Sequence, residues 1–194
     1  MRNTCAVHQP IIYTNRLELH HIPAEGIIAL LEEKNDLLAI AGRDFINPHR
    51  TLVDNSGPLG WRVPQVKADP STNKWFVRFI VDSQSREVIG STSFHGIPDE
   101  NGMMEIGIGI EEKFWGNGFA TEALLGMWRW VCGEAGVKVL RYTVSPSNLA
   151  SVAIIKKFGF DYKGQQMDEV DGPEDIYEMS VADFQVKWGG HNER

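Results

Sequence analysis

The sequence predicts an α/β chain of the α+β type: a mixed, mostly antiparallel central sheet of about seven strands flanked by helices. Three observations predict it. Residues 74–82, 87–96 and 103–110 are strand-patterned runs joined by short turn clusters, Ser83-Gln84-Ser85-Arg86 and Ile97-Pro98-Asp99-Glu100-Asn101-Gly102, so they form an antiparallel meander. Residues 103–144 then run strand, helix, strand, a crossover that sets the fourth and fifth strands parallel. A further helix and two more strands close the chain.

Taken in order, residues 1–12 form a loose leader, and 14–22 a short strand with Leu17 and Leu19 on one face, which His21 shares by the same alternation. Pro23 suits a first helical position. A helix over 24–41 follows, with a broken apolar stripe of Ile27, Ile28, Leu31, Leu38 and Ala41; Asn35-Asp36 interrupts it, so two short helices are the alternative. His20 and His21 have no Cys or carboxylate cluster beside them and are surface or packing residues rather than metal ligands. Residues 42–73 are rich in Pro and Gly. A pure loop of that length is unusual in a compact domain, so a short helix or two is expected there.

In the crossover helix, which runs from the glycine-containing loop to about Gly133, Ala120, Ala123, Leu124, Met127, Trp128 and Val131 share a face. Trp128 and Trp130 are packing residues on this reading. Residues 137–144 form the next strand. Ser147 or Asn148 caps a helix that ends at Gly159, with Lys156 and Lys157 in its last turn, where cations suit the dipole. Residues 160–163 start another strand, an acidic turn follows at 168–175, 176–182 is the final strand, and the tail after Phe184 is polar and frayed.

A content of 42% hydrophobic and 23% charged residues belongs to a soluble globular chain, organised here as a single domain over 14–187 with terminal tails 1–13 and 188–194. The formal net charge of −7 argues against nucleic acid and mildly favours cationic substrates. Cys5 and Cys132 make no disulfide framework or metal spacing, and Cys132 is a core residue of its helix. Residues 1–10 contain no apolar run, so no signal peptide is expected; no segment is apolar for long enough to span a membrane. A reducing cytoplasm is the expected location.

Residues 103–123, M-M-E-I-G-I-G-I-E-E-K-F-W-G-N-G-F-A-T-E-A, organise the rest. Met104, Ile106, Ile108 and Ile110 alternate with Glu105, Gly107 and Gly109, and a strand that gives up side chains on one face invites a ligand against its backbone. Gly116-Asn117-Gly118 then enters a helix. Free N–H groups at a helix start, with glycines that let a ligand approach, make an anion site, for which pyrophosphate is the common ligand; an ordinary strand–turn–helix connection is the alternative. A P-loop is excluded, because Phe119 follows Gly118 where Lys-Ser/Thr is needed. A dinucleotide fingerprint is disfavoured: Thr121 stands at its last small position, and the strand at 139–144 carries no carboxylate.

The run Trp115-Gly116-Asn117-Gly118-Phe119-Ala120-Thr121-Glu122-Ala123 resembles the acetyl-CoA loop of the GCN5-related N-acetyltransferases, in the branch of the ribosomal-protein alanine acetyltransferases. Asn148-Leu149-Ala150-Ser151 followed by Lys157-Phe158-Gly159-Phe160 is similar to that family's second signature. The resemblance extends from about Arg16 to about Phe184. It implies the acyl-CoA N-acyltransferase fold and transfer of an acetyl group from acetyl-CoA, without a metal, to a primary amine that attacks directly in a ternary complex. The acceptor would be a small molecule or a protein N-terminus; a homodimer is compatible with the family.

By the same resemblance Ile108, Gly109 and Ile110 line the pantetheine arm, and Trp115, Gly116, Asn117, Gly118, Phe119, Ala120 and Thr121 form the pyrophosphate loop. Trp115 stands where many members carry Arg or Gln. Asn148 reaches the pantetheine region and Ser151 sits near the thioester sulfur. Glu105 is the candidate base, or else a structural partner across the sheet. The tyrosine acid of many members is replaced by Ile155. Ser151 is the substitute, with Tyr142 and His95 as weaker alternatives. The missing tyrosine also keeps open a non-catalytic or regulatory acyl-CoA-binding role. Phe45, His49, Trp61 and Arg62 are candidate walls of the acceptor site, although Trp61 by itself reads as a packing anchor.

Overall fold

The computed structural model describes residues 9–168 and 172–190. They cluster into two compact units. The first runs to Gly96 and takes in Ile108–Gly126; the second comprises Ile97–Gly107 and the chain from Met127. Cys5 lies outside the described residues.

In the first unit, β1 (Ile12–Tyr13) and β2 (Leu17–His21) pair antiparallel through a tight turn closed by the Thr14 N–H on the Leu17 carbonyl at 2.9 Å. The expected leader therefore ends in a short strand. β2 pairs with β3 (Arg78–Asp82), and β3 with β4 (Val88–Phe94), both antiparallel. The β3–β4 turn is held by Asp82 Oδ1, which accepts from the N–H groups of Gln84 and Ser85 at 2.8 and 2.9 Å. Leu17, Leu19, Phe79 and Ile80 are wholly buried.

The helix expected over 24–41 is two helices, α1 (Ala24–Glu32) and α2 (Leu37–Ile40). Lys34 adopts φ 54°, and the Asn35 side-chain oxygen accepts from the Leu37 N–H, so the polar pair restarts the helix. The Pro/Gly-rich stretch holds α3 (Leu59–Ala68) and a 3₁₀ helix, Pro70–Trp75. The latter corrects the expected strand start at residue 74. Asp69 caps the Ser71 N–H ahead of Pro70, and this local signal outweighs the strand character of Lys74-Trp75.

In the second unit the first residues of β5 (Met103–Ile110) run parallel to β6 (Val139–Val144), with Glu105 opposite Arg141. β6 pairs antiparallel with β8 (Gly172–Ser180), and β8 with β7 (Asp161–Asp168). The strand expected to start at 160–163 runs on to Asp168, and the last strand begins earlier than the expected 176–182. Much of the expected acidic turn is hairpin: Gln165 faces Asp175 and Gln166 faces Glu174, both side-chain hydrogen-bonded. Residues 169–171 of that turn lie outside the described residues.

The first part of the polar tail expected after Phe184, residues 185–188, belongs to α6 (Val181–Trp188), and residues 191–194 lie outside the described residues. Ser180 caps α6 on the Asp183 N–H at 3.0 Å and Phe184 is buried. The Ser-x-x-Asp spacing before an aromatic carried this signal in sequence. The crossover helix α4 (Phe119–Val131) contributes Trp128, which packs edge-on or tilted against Tyr142, Phe158, Phe160 and Phe184. α5 (Leu149–Phe158) starts on Asn148 and stops at Gly159, whose φ of 79° favours glycine. Eight strands and six α-helices among the described residues give the mixed, mostly antiparallel α/β fold.

Candidate active site

The first unit contains the glycine loop. As β5 ends, the Glu111 N–H donates to the Ile89 carbonyl at 2.9 Å, and Thr51 Oγ1 donates to Glu111 Oε1 at 2.5 Å. Gly90 of β4 lies so close to the Gly109 carbonyl that a Cβ there would sit 2.3 Å from it, whereas a Cβ on Gly109 would meet nothing. Close packing therefore explains Gly90. Gly109 instead leaves open space beside Ile108 and Ile110.

A short 3₁₀ turn (Glu112–Phe114) follows, and the Trp115 indole N–H donates back to the Ile110 carbonyl at 2.6 Å, leaving the ring 64% exposed. Asn117 Nδ2 donates to the Phe114 and Trp115 carbonyls, each at 3.1 Å, and so ties the loop to its own start. Gly116 and Gly118 take φ 76° and 78°, the left-handed conformation that a side chain disfavours. The first bond into α4 is the Glu122 N–H on the Gly118 carbonyl at 3.1 Å. The amide N–H groups before it are the unpaired donors of a helix N-terminus, at the positive end of the dipole. Gly116, Asn117 and Gly118 are exposed. This is an anion cradle open to solvent.

Sequence reasoning missed what supports that cradle. Glu122 accepts from Thr14 Oγ1 at 2.6 Å, from the Arg16 N–H at 2.7 Å and from Arg16 Nε at 2.7 Å. Burial by itself would raise the Glu122 carboxyl; the hydrogen bonds from Thr14 and Arg16 outweigh it and hold the group below its ordinary value. Arg16 and Glu122 are too far apart in sequence for any local pattern to pair them. Next to the loop a cavity of about 500 Å3 is lined by His49, Glu111, Glu112 and Lys113.

The candidate acceptor walls separate by burial. Phe45 is core, against His20 and Phe79. Arg62 is buried, donating to Ser93 Oγ at 3.3 Å. His49 is half-buried against Phe114, with Nε2 3.2 Å from Glu87. Trp61 is 58% exposed, which corrects its reading as a packing anchor; its α3 position faces away from Leu59, Val63 and Val66. His20 and His21 are buried packing residues, with Nε2 atoms 2.8 Å from Glu18 and from the Asn73 carbonyl respectively.

The second unit contains the candidate acid–base residues. Glu105 is half-buried, and Thr143 Oγ1, on the neighbouring strand, donates to Glu105 Oε1 at 2.5 Å. Arg141, opposite Glu105, is instead held by Glu178, with Nε and Nη2 at 2.8 and 2.5 Å from Oε1. Asn148 Oδ1 accepts the Ser151 N–H at 3.1 Å, which commits that oxygen to capping α5. Ser151 is half-buried, and its side chain is the hydrogen-bonding neighbour of the Tyr142 phenol. Burial pushes that phenol up, with the Ser151 contact opposing.

Ile155 is wholly buried. His95 is exposed, its carbonyl accepting from Gln65 at 3.3 Å. Burial pushes the Cys132 thiol up to about 11, so it is a packing group and a poor nucleophile. Among the described residues no three His, Cys, Asp or Glu side chains are grouped to hold a metal, and no helix is long and apolar enough to cross a membrane.

Two left-handed glycines opening a helix after β5 define an α/β protein with a glycine-rich strand-to-helix turn suited to an anion. The family model for the acetyltransferase (GNAT) domain matches residues 47–161. The chain is 33% identical over 163 residues to the uncharacterized N-acetyltransferase YjdG of Bacillus subtilis (strain 168), covering 77% of this chain and 89% of that protein. The chain belongs to the GNAT acetyltransferase family. Solved structures share the fold. One is the ribosomal-protein-S5-alanine acetyltransferase of Vibrio fischeri, at TM-score 0.64 and 14% identity, covering 91% of this chain and 99% of that one. Another is RimL, a ribosomal L7/L12 alpha-N-protein acetyltransferase in complex with coenzyme A, at TM-score 0.60 and 17% identity, covering 88% and 98%.

Proposed function

We propose that this chain is an acetyl-CoA-dependent N-acetyltransferase acting on a primary amine by direct attack in a ternary complex, with residues 14–187 as one catalytic domain. The observation that carries the reading is the cradle: two left-handed glycines and a helix N-terminus directly after a strand whose Gly109 leaves open space. That is what a diphosphate followed by an extended arm needs. RimL binds coenzyme A on the same fold.

Acetyl-CoA, when bound, supplies the acyl group as a thioester. Ile108, Gly109 and Ile110 flank the pantetheine arm, and the backbone of Gly116–Thr121 holds the diphosphate, with Trp115 beside it. Asn148, its side-chain oxygen engaged as a cap, approaches the arm through its remaining donor and backbone. An alkylammonium titrates near pH 10.4, so a base must take its proton. Glu105 is that base, acting through water; the hydrogen bond from Thr143 orients its carboxylate. Ser151 donates toward the departing sulfur, with the Tyr142 phenol behind it.

The acceptor is a small amine or a protein N-terminus; the family's variety of acceptors leaves both in place. The reading carries with it a cytoplasmic location and is compatible with a homodimer. A non-catalytic acyl-CoA-binding role has one observation in its favour, the buried Ile155 where many relatives place a tyrosine acid.

The test is thermal denaturation with millimolar acetyl-CoA, against NADH and ATP, followed by thiol release over a panel of amines. A ligand at a hundredfold excess over its Kd stabilises the fold by about 2.7 kcal/mol. A shift specific to acetyl-CoA with thiol release supports the enzyme. A shift without release for any amine selects the non-catalytic role, and no shift overturns both.

A further inference from the structure

The Arg16 guanidinium is shared among three neighbours of the loop. Nε donates to Glu122 Oε2 at 2.7 Å, Nη1 donates to the Asn117 carbonyl at 3.1 Å, and the plane lies 4.4 Å over the Phe119 ring. Nη2 makes no hydrogen bond among the described residues and stands 3.7 Å from where a Gly118 Cβ would be. The side chain is about half exposed, and Nη2 is its edge beside Gly118 of the loop.

The local charge shows why that matters. The stretch that builds the cradle carries Glu111, Glu112 and Glu122 against the single cation Lys113. Lys113 is drawn 3.7 Å from Glu87 and over the Phe114 ring. Trp115, directly before the loop, is uncharged and its indole N–H is committed. Three carboxylates in the residues that build a backbone anion site oppose a diphosphate.

The geometry points to Arg16 as a cofactor-binding residue: it neutralises Glu122 at the start of α4 and presents Nη2 to the diphosphate of coenzyme A. This rests on the acetyl-CoA reading above and adds a side-chain cation, from the start of β2, to a site otherwise made of backbone. A planar fork suits the task, because two of its edges hold the loop while the third meets the ligand.

The test compares acetyl-CoA with S-acetyl-pantetheine, which lacks the phosphates, by quenching of tryptophan fluorescence in the intact chain. Arg16→Gln is expected to weaken acetyl-CoA binding about tenfold, as loss of a charge-assisted hydrogen bond implies. S-acetyl-pantetheine binding should stay unchanged, and acetyl-CoA affinity should fall less steeply with salt than in the unaltered chain. If Arg16→Gln, which leaves Glu122 without its ion-pair partner, fails to fold, the double variant Arg16→Gln/Glu122→Gln removes both charges and is measured instead. Equal acetyl-CoA affinity in variant and unaltered chain overturns the assignment. So does an equal loss for both ligands, which marks a structural brace alone. Failure of the unaltered chain to bind acetyl-CoA is a different result: it sinks the acetyl-CoA reading itself, and this assignment with it.

Discussion

The glycine loop of the first unit and the proposed acid–base residues of the second are built from different materials. The cradle at Gly116–Thr121 is backbone: positive φ at two glycines, an Asn117 side chain that only ties the loop to itself, and the open end of α4. The proposed acid–base group is side chain. Glu105 depends on Thr143 of the next strand, and Ser151 on Asn148 and on Tyr142. A backbone site tolerates almost any side chain that preserves its dihedral angles and fails sharply where a glycine is lost. A side-chain site should instead lose rate while the fold and cofactor affinity persist.

The sharpest break in that contrast is at Gly118. Gly118→Val puts a β-branched residue at φ 78° on the ligand-facing loop. The strained conformation costs about 1–3 kcal/mol, and the new side chain occupies the cradle. The expected outcome is loss of the acetyl-CoA melting shift altogether; a retained shift refutes the cradle. Glu105→Gln is the side-chain counterpart. It should lower kcat by about 100-fold to 10,000-fold, the usual contribution of a general base, while the acetyl-CoA shift stays. An unchanged kcat reduces Glu105 to a partner of Thr143.

That same contrast governs what the sequence could show. The glycine turn and the start of α4 were legible because their information is local: glycine spacing, then a helix. The strand β5, the crossover and the caps at Asn148 and Gly159 were legible for the same reason. Arg16 and Thr14 were not, because they reach Glu122 from more than 100 residues away in the chain. Thr143 beside Glu105 required the β5–β6 register, which no periodicity supplies. Trp61 was misjudged because aromatic character does not say which side of α3 faces the core. The 3₁₀ helix at Pro70–Trp75 and α6 each hid behind strand-like or polar residues, although Asp69 and Ser180 were caps in plain view.

A smaller effect separates Ser151 from its neighbour. Ser151→Ala should lower kcat about tenfold at unchanged KM, the scale of one hydrogen bond made as the thiolate leaves. Tyr142→Phe should lower it less, and the double variant should be no worse than Ser151→Ala if the phenol acts only through the serine. Multiplied losses would make Tyr142 an independent contributor. In a spectrophotometric titration, Ser151→Ala should move one tyrosine to higher pH, since the contact it removes opposes the upward push of burial.

The smallest expected effect is on stability, and it belongs to the support of the cradle. The Glu122 carboxyl is held below its unfolded value by Thr14 and Arg16 against the opposing effect of burial. A depressed carboxyl binds its proton more weakly in the folded than in the unfolded chain. Its contribution is therefore fully present above the unfolded pKa of about 4.3 and is lost as pH falls through the lower folded value. Glu122→Gln should then flatten the acid limb of the melting temperature against pH without altering it near neutrality by more than a few degrees. Because Glu18 is likewise depressed, by Arg86 and His20 against its own burial, part of the acid limb must survive in Glu122→Gln. An acid limb that is unchanged in Glu122→Gln would show that the carboxylate bonds at the start of α4 contribute nothing net, and that the loop is held by its backbone alone.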